Sequence, residues 1–426
     1  MTAASMPGVS HNPVTFNPYD YGFHEDPYVT YRRLREEAPA YYNEELDFWA
    51  LSRHEDVVAA FRDNQRLSSA NGVSLDPAAY GPHAHKTMSF LALDDPRHMR
   101  MRQLVSRGFT PRRVNELEGR ILDLTRQYLD PALEVGEFDW IAEFAGKLPM
   151  DVISELMGVP EADRVELRRL ADLVVHREEG VLDVPHAAME ASLYLVGYYA
   201  DMLAERRRKP TEDLTSALLE AEIDGDRLTD DEIIAFMFLM VVAGNETTTK
   251  LLGNALYWGF RYPGEARQVF EDASRVPDWV EETLRFDTSS QMVARTAAVD
   301  LDFHDRTIPA GDKVLILIGS ANRDSAVFED ADEYRIGRDT SNKLASFGGG
   351  THFCLGAHMA RLEARIALTE LVSRIDDYDV DEANSVRVHS TNVRGFATLP
   401  LKVQVRDARF EPNPQRRPSI VAGASS

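Results

Sequence analysis

The stretch from Leu228 to about Phe260 constrains the fold more than any other. It holds an unbroken apolar run of 11 residues, Ile233 to Ala243. Thr229 with Glu232 three positions on has the pattern of a capping box, and Leu228 is placed to staple against Ile233. A helix that is apolar on all sides must be buried on all sides. A membrane span needs about 20 such residues, so the segment predicts a central helix enclosed by other elements of a folded body. Helical periodicity elsewhere supplies the enclosure, over about 53–63, 97–107, 112–130, 150–156, 187–207, 277–286 and 356–375. Strand-like runs are short and fall into two groups. Tyr41–Asn43 with Phe48–Ser52 reads as an early hairpin, and Ala294–Ala298, Val314–Ile318 and Lys402–Val405 as a late sheet region. The expected fold is mainly α with a small β portion. It forms one domain over residues 17–410, between flexible ends at 1–16 and 411–426.

Charge and cysteine content narrow the chemistry. The 426 residues carry 47 basic and 70 acidic side chains, a formal charge of −23, which argues against a nucleic-acid partner held through its phosphates. The first residues show no basic segment followed by an apolar one, so no leader is expected. Cys354 is the only cysteine. That leaves no internal disulfide, no cysteine-cluster zinc or iron–sulfur site, and an expected cytoplasmic setting.

Three motifs stand out. Inside the central helix, Gly244 costs about 1 kcal/mol against alanine, and the Thr247 hydroxyl can bond back to the Ala243 carbonyl. Together they loosen one turn and open a groove beside something flat. Glu246 beside Thr247 can relay protons; the other reading is a tolerated glycine with an exposed acid. Glu282 and Arg285, on a helix beginning near Pro277, share a face and can pair. From Phe347 to Gly356 a glycine-rich loop delivers Cys354 to a helix start, where unpaired N–H groups and about half a positive charge favour thiolate. Glycines there let the backbone approach a large planar ligand. No Gly-Lys-Ser/Thr follows, so this is not a phosphate loop. A cysteine hydrolase using His352 or His358 as base remains the second reading of these residues.

The run Phe347-Gly348-x-Gly350-x-His352-x-Cys354-x-Gly356 resembles the haem-binding signature of the cytochrome P-450 family. In the family's order, Ala243–Thr248 resembles its oxygen-activating helix, Glu282-x-x-Arg285 its buried ion pair, and His98-x-x-x-Arg102 the helix that reaches the haem propionates. Arg295 falls where the family places a further propionate-binding arginine. The likeness runs from about Asn17 to Arg406 and is similar to the mycobacterial family 123 group.

The resemblance implies the P-450 fold, with haem b between the central helix and the cysteine-bearing helix. Cys354 thiolate would ligate the iron, and His98, Arg102, Arg295 and His352 would neutralise the propionates. Phe347, Gly348, Gly356, Ala243 and Gly244 would lie against the haem, and Thr247 with Glu246 would deliver protons. Glu333 stands in the slot of the ion pair's usual third member, with Arg335 or Arg338 as substitutes. The implied activity is monooxygenation of a hydrophobic substrate (lipid, terpenoid, steroid or polyketide-like) by O2. An external ferredoxin served by a ferredoxin reductase would supply electrons, NAD(P)H acting only through them. The alternative is a peroxide-driven haem oxygenase or a haem-binding protein without turnover. Family pocket segments map to about 71–90, 237–244, 291–294 and 392–396, with Met237, Met240, Val241, Met292, Val293 and Phe396 as an apolar lining. His83 and His85 are expected at the surface. Arg97, Arg100, Arg102, Arg107, Arg112 and Arg113, with Arg361 and Arg365, read either as a basic face for an acidic ferredoxin or as a solvated helix face with some propionate contacts.

Overall fold

The computed structural model describes residues 14–106, 109 and 111–406. Of the expected flexible ends, only residues 14–16 are among them. There Phe16 is buried against Phe23, Tyr31, Tyr41 and Phe48, because a fourfold aromatic contact outweighs the cost of ordering the segment. The expected tail at 411–426 lies outside the described residues.

The central helix is Asp230–Arg261. Its capping box is made as the sequence predicts: Glu232 N–H donates to Thr229 Oγ1 at 3.3 Å, and Thr229 N–H to Glu232 Oε2 at 2.9 Å. Leu228 and Ile233 join one apolar cluster, as a staple requires. Helices Leu148–Met157, Glu161–Val175, His186–Arg208, Val276–Phe286 and Ala357–Arg374 surround it. The helix continues unbroken through Gly244, so the expected loosened turn is not a break.

One predicted helix needs correction, and four further helices fall outside the predicted set. The segment expected at 112–130 is two helices, Pro111–Glu116 and Glu118–Val135, and the second carries Pro131 inside it. Proline forfeits one backbone hydrogen bond, but Leu129, Ala132 and Leu133 on the buried face hold the last turn until left-handed Gly136 ends it. Helices Tyr28–Glu37, Glu161–Val175, Leu214–Glu220 and Pro263–Glu271 were not anticipated. Tyr28–Glu37, Glu161–Val175 and Pro263–Glu271 each bury only a narrow stripe beneath a charged face, and Leu214–Glu220 is too short to show a clear period.

The late sheet region also divides. Met292–Ala297 and Lys313–Leu317 pair antiparallel, and the latter lies parallel to Phe48–Leu51 of the early hairpin, giving one five-stranded sheet closed by Leu67–Ser68. Pro400–Val405 belongs instead to a separate three-stranded sheet with Ile375–Val380 and Glu137–Asp139. No described helix is long and apolar enough to cross a membrane.

Candidate active site

A cavity of about 280 Å³, open to a water-sized molecule, lies between the central helix and the start of helix Ala357–Arg374. Met240, Ala243, Gly244, Thr247 and Leu251 line it from the central helix, a spacing of three or four that marks one helical face. Phe347, Gly348, His352, Cys354 and Gly356 line it from the glycine-rich loop. Val293 and Arg295 enter from one strand. Successive side chains on a strand point to opposite faces, so Met292 between Gln291 and Val293 turns away and packs with Leu34, Leu315 and Leu317. Met237, Val241 and Phe396 are likewise buried outside the lining. Met237 Sδ lies 3.9 Å from Thr215 Oγ1, and Phe396 packs on Tyr257 and over Gly253. Of the six residues expected to line a substrate pocket, the cavity therefore takes Met240 and Val293.

The loop is shaped by its own packing as much as by any ligand. Cys354 N–H donates to the Phe347 carbonyl at 2.9 Å, closing the turn. Gly350 has φ +61°, and a Cβ there would lie 2.6 Å from the Phe61 carbonyl. The expectation that these glycines make room for a planar ligand is thus corrected at Gly350, where protein backbone is the obstacle. At Gly356 a Cβ would meet nothing within 4 Å, and that position faces the cavity.

Cys354 is exposed, and it is exposed into the cavity rather than to bulk solvent. Burial there pushes its thiol up from the ordinary value. The Gly356 and Ala357 N–H groups, Arg102 and Arg361 pull the other way without prevailing. The helix-start contribution expected from sequence is present but outweighed. A bound metal ion would deprotonate the sulfur outright.

Four basic groups converge with few anions to answer them: Arg295 and His352 line the cavity, and His98 and Arg102 pack beside its loop without lining it. The His98 and His352 rings lie 3.9 Å apart between centroids. His98 Nδ1 is 3.4 Å from Asp95 Oδ1 but without hydrogen-bond geometry, and its Nε2, Arg102 Nη1 and His352 Nδ1 are buried without partners among the described residues. Among the described residues buried Arg295 donates only to the carbonyl of neighbouring Ala294, and burial lowers it to about 10. Arg102 Nη2 reaches the Phe353 carbonyl, anchoring helix Arg97–Ser106 beside Cys354. Unpaired buried donors are costly. This set suits a flat apolar group that brings anionic oxygens to these donors and offers a metal to Cys354, which is the chemistry of haem.

Thr247 Oγ1 donates to the Ala243 carbonyl at 2.9 Å, as predicted. Glu246 is neither exposed nor part of the lining. It is buried, with Lys250 Nζ 3.2 Å from its Oε2. Burial works to raise its carboxyl, but Lys250 and a hydrogen bond with Asp172 hold it below the ordinary value. Asp172 is exposed as a residue, yet its carboxyl tip is enclosed against Glu246. That enclosure and the Glu246 charge push it up to about 8. Asp172 was missed from sequence because nothing in its helix's periodicity marks it.

Glu363 was also missed. It lines the cavity and is buried, and burial alone pushes its carboxyl from 4.5 up to about 8. Its sequence signal was a lone carboxylate on the apolar face of Met359, Ile366 and Ala367. Between those two pH values the folded chain holds a proton that the unfolded chain has lost, so stability falls as pH rises through the window. Glu363→Gln is expected to flatten that part of the profile in thermal melts; an unchanged profile would contradict the assignment.

Glu282 and Arg285 form a bidentate pair at 2.7 and 2.8 Å, and both are buried. The third member is Arg338, with Nε 3.5 Å from Glu282 Oε2. Arg335 offers only its backbone N–H to Glu282, and Glu333 contributes only its carbonyl to Arg285 and Arg338.

The expected basic face is thinner than its arginine count. Arg100 is held by Asp226 and Glu232, Arg361 by Glu281 and Arg365 by Glu118. Arg107 and the side chains of Arg112 and Arg113 lie outside the described residues.

The sequence model of the family described as Cytochrome P450 matches residues 183–406. The chain is 63% identical over 393 residues to cytochrome P450 123 of Mycobacterium tuberculosis, covering 92% of this chain and 98% of that one. Among solved structures it is similar to the cytochrome P450 PksS of the Bacillus subtilis bacillaene polyketide synthase, with a TM-score of 0.83 and 33% identity over 92% of this chain and 100% of that one. It is also similar to CYP109E1 of Bacillus megaterium in complex with testosterone, with a TM-score of 0.82 and 30% identity over 88% and 97% of the two chains.

Proposed function

The chain belongs to the cytochrome P450 family, and on that premise we propose that it is a cytoplasmic monooxygenase of an apolar substrate, with haem held at Cys354 and electrons supplied by a separate ferredoxin. The observation that carries this reading is that Arg295 and His352 line the cavity that Cys354 and Thr247 also line, with His98 packed beside His352, Arg102 tied to the cysteine loop, and donors of this set unpaired among the described residues. Haem, when bound, supplies the one-electron and dioxygen chemistry that no side chain here supplies. Cys354 Sγ would hold the iron, the four basic residues would bind the propionates, and Ala243, Gly244, Phe347, Gly348 and Gly356 would flank the ring. Leu239, Met240, Phe90, Leu91, Val73 and Val293 exclude water from the remaining space and favour a hydrophobic ligand. The similarity to a testosterone-bound relative and to a polyketide-synthase relative supports the same substrate class.

Protons reach the cavity along the chain's own groups. Asp172 takes a proton from solvent and passes it to Glu246 across their shared hydrogen bond. Rotation of Glu246 away from Lys250 then presents that proton to Thr247, whose hydroxyl already faces the cavity. With labelled dioxygen, one labelled atom is expected in the product and the other in water. Label recovered only as hydrogen peroxide and water, with every apolar substrate class tested, would contradict the reading.

A partner surface is supported beside Cys354. Arg97 and Met99 are exposed on helix Arg97–Ser106, and Phe353 is exposed on the loop to which Arg102 ties that helix, Met99 at 44% and Phe353 at 45% exposure. A cation beside exposed apolar side chains suits an acidic protein partner. Arg97→Glu is expected to slow reduction by ferredoxin and weaken its salt dependence in stopped-flow traces. Rates and salt slopes equal to those of the unmodified protein would remove this surface from the account.

A further inference from the structure

Glu363 is a buried acid that the proton route above does not use. It sits on helix Ala357–Arg374, which begins three residues after Cys354, and it shares the cavity with Thr248 and Leu251 of the central helix and Met359 and Ala360 of its own. It makes no hydrogen bond or ion pair among the described residues, and its Oε2 is buried without a partner. The charged groups on the elements around it are occupied elsewhere. On its own helix Arg361 pairs with Glu281, Arg365 with Glu118, Arg374 with Asp130, and Glu370 with Arg126. On the central helix Glu246 and Lys250 pair with each other, and on helix Val276–Phe286 Glu282 pairs with Arg285. None of the basic groups His98, Arg102, Arg295 and His352 pairs with Glu363 among the described residues or offsets its burial, and the propionates would occupy them. Glu363 is thus an acid without a counter-ion in the same apolar enclosure as the sulfur that would hold the iron.

An electron added to such an enclosure raises its negative charge in a medium that screens poorly. The charge is lowered again when a nearby carboxylate takes up a proton. We infer that Glu363 is this compensating group: at pH values where it is ionised in the oxidised protein, its carboxylate takes one proton from solvent as a one-electron reductant converts ferric to ferrous haem at Cys354. One O–H bond forms on Glu363, one electron enters the iron, no other bond is broken within the protein, and the total charge of the enclosure is unchanged. The carboxyl's existing upward displacement by burial agrees with this, since a group that titrates near neutral pH can respond to a change of charge. The inference rests on the haem reading and assigns a role that electron transfer alone does not require.

The test is mediated potentiometry of the haem-loaded full chain on both sides of about pH 8. Tenfold changes in proton activity convert to a midpoint potential falling by about 59 mV per pH unit where one proton accompanies one electron. The unmodified protein is expected to approach that slope over part of the range. Glu363→Gln is expected to be flat there, and Glu363→Asp, which keeps a carboxyl, to retain the slope. A flat profile for the unmodified protein, or an equal slope in Glu363→Gln, would overturn the inference and in the second case pass the role to His98 and His352. If Glu363→Gln loses haem, the reduced-minus-oxidised infrared spectrum of the unmodified protein decides. A gain of protonated-carboxyl carbonyl absorption supports the inference, and its absence overturns it. A chain that binds no haem gives no redox wave at all, which refutes the cofactor reading instead.

Discussion

Glu282→Ala is expected to destabilise the fold by about 3–5 kcal/mol and to release the haem. Arg285 is fully buried and would be left charged without its carboxylate. Its remaining bonds, to the Asn322, Ala331 and Glu333 carbonyls, satisfy donors but bring no negative charge. Asn322 is also the link to the cysteine loop. Its Oδ1 accepts from Ala345 N–H, and its Nδ2 donates to Ser346 Oγ, which in turn donates to the Leu284 carbonyl. A shift of Arg285 therefore propagates to the residues just before Phe347. Against a total of about 5–15 kcal/mol the loss is large, so urea midpoints and the haem-to-protein ratio should fall together. A variant within about 1 kcal/mol of the parent that keeps full haem would mean the pair behaves as a surface salt bridge.

Thr247→Ala is expected to keep the fold and the haem while product formation per electron falls steeply, within the roughly 10²–10⁴-fold range of a lost general acid. The substitution removes the hydroxyl that faces the cavity and frees the Ala243 carbonyl it bonds. Helix propensity rises slightly with alanine, so instability cannot explain the loss. The electrons no longer used for substrate should appear as hydrogen peroxide. Unchanged product per NAD(P)H consumed would remove Thr247 from the route, and with it the need for Glu246 to leave Lys250.

Local chemistry was legible and long-range partnership was not. Thr229 and Glu232 announce a helix start because a capping box is complete within four residues. Thr247 bonding Ala243 follows from helical geometry alone. Phe347 to Gly356 was readable because a turn, a helix start and a nucleophile coincide. By contrast, the parallel pairing of Phe48–Leu51 with Lys313–Leu317 joins strands far apart in the chain, and no local pattern encodes it. The same holds for Arg338 reaching Glu282, and for Asp172 and Lys250 turning Glu246 out of the cavity. The exclusion of Met292 from the cavity follows from local pattern. Strand alternation permits Val293 and Arg295 on one face, and placing Met292 with them breaks that period.

The central claim is that Cys354 holds haem through its thiolate, and the carbon monoxide difference spectrum of the purified, reduced protein tests it most directly. The absorption band that gave the family its name is expected, together with its loss in Cys354→Ser. A reduced haem protein without that band, or the same band retained in Cys354→Ser, would contradict it.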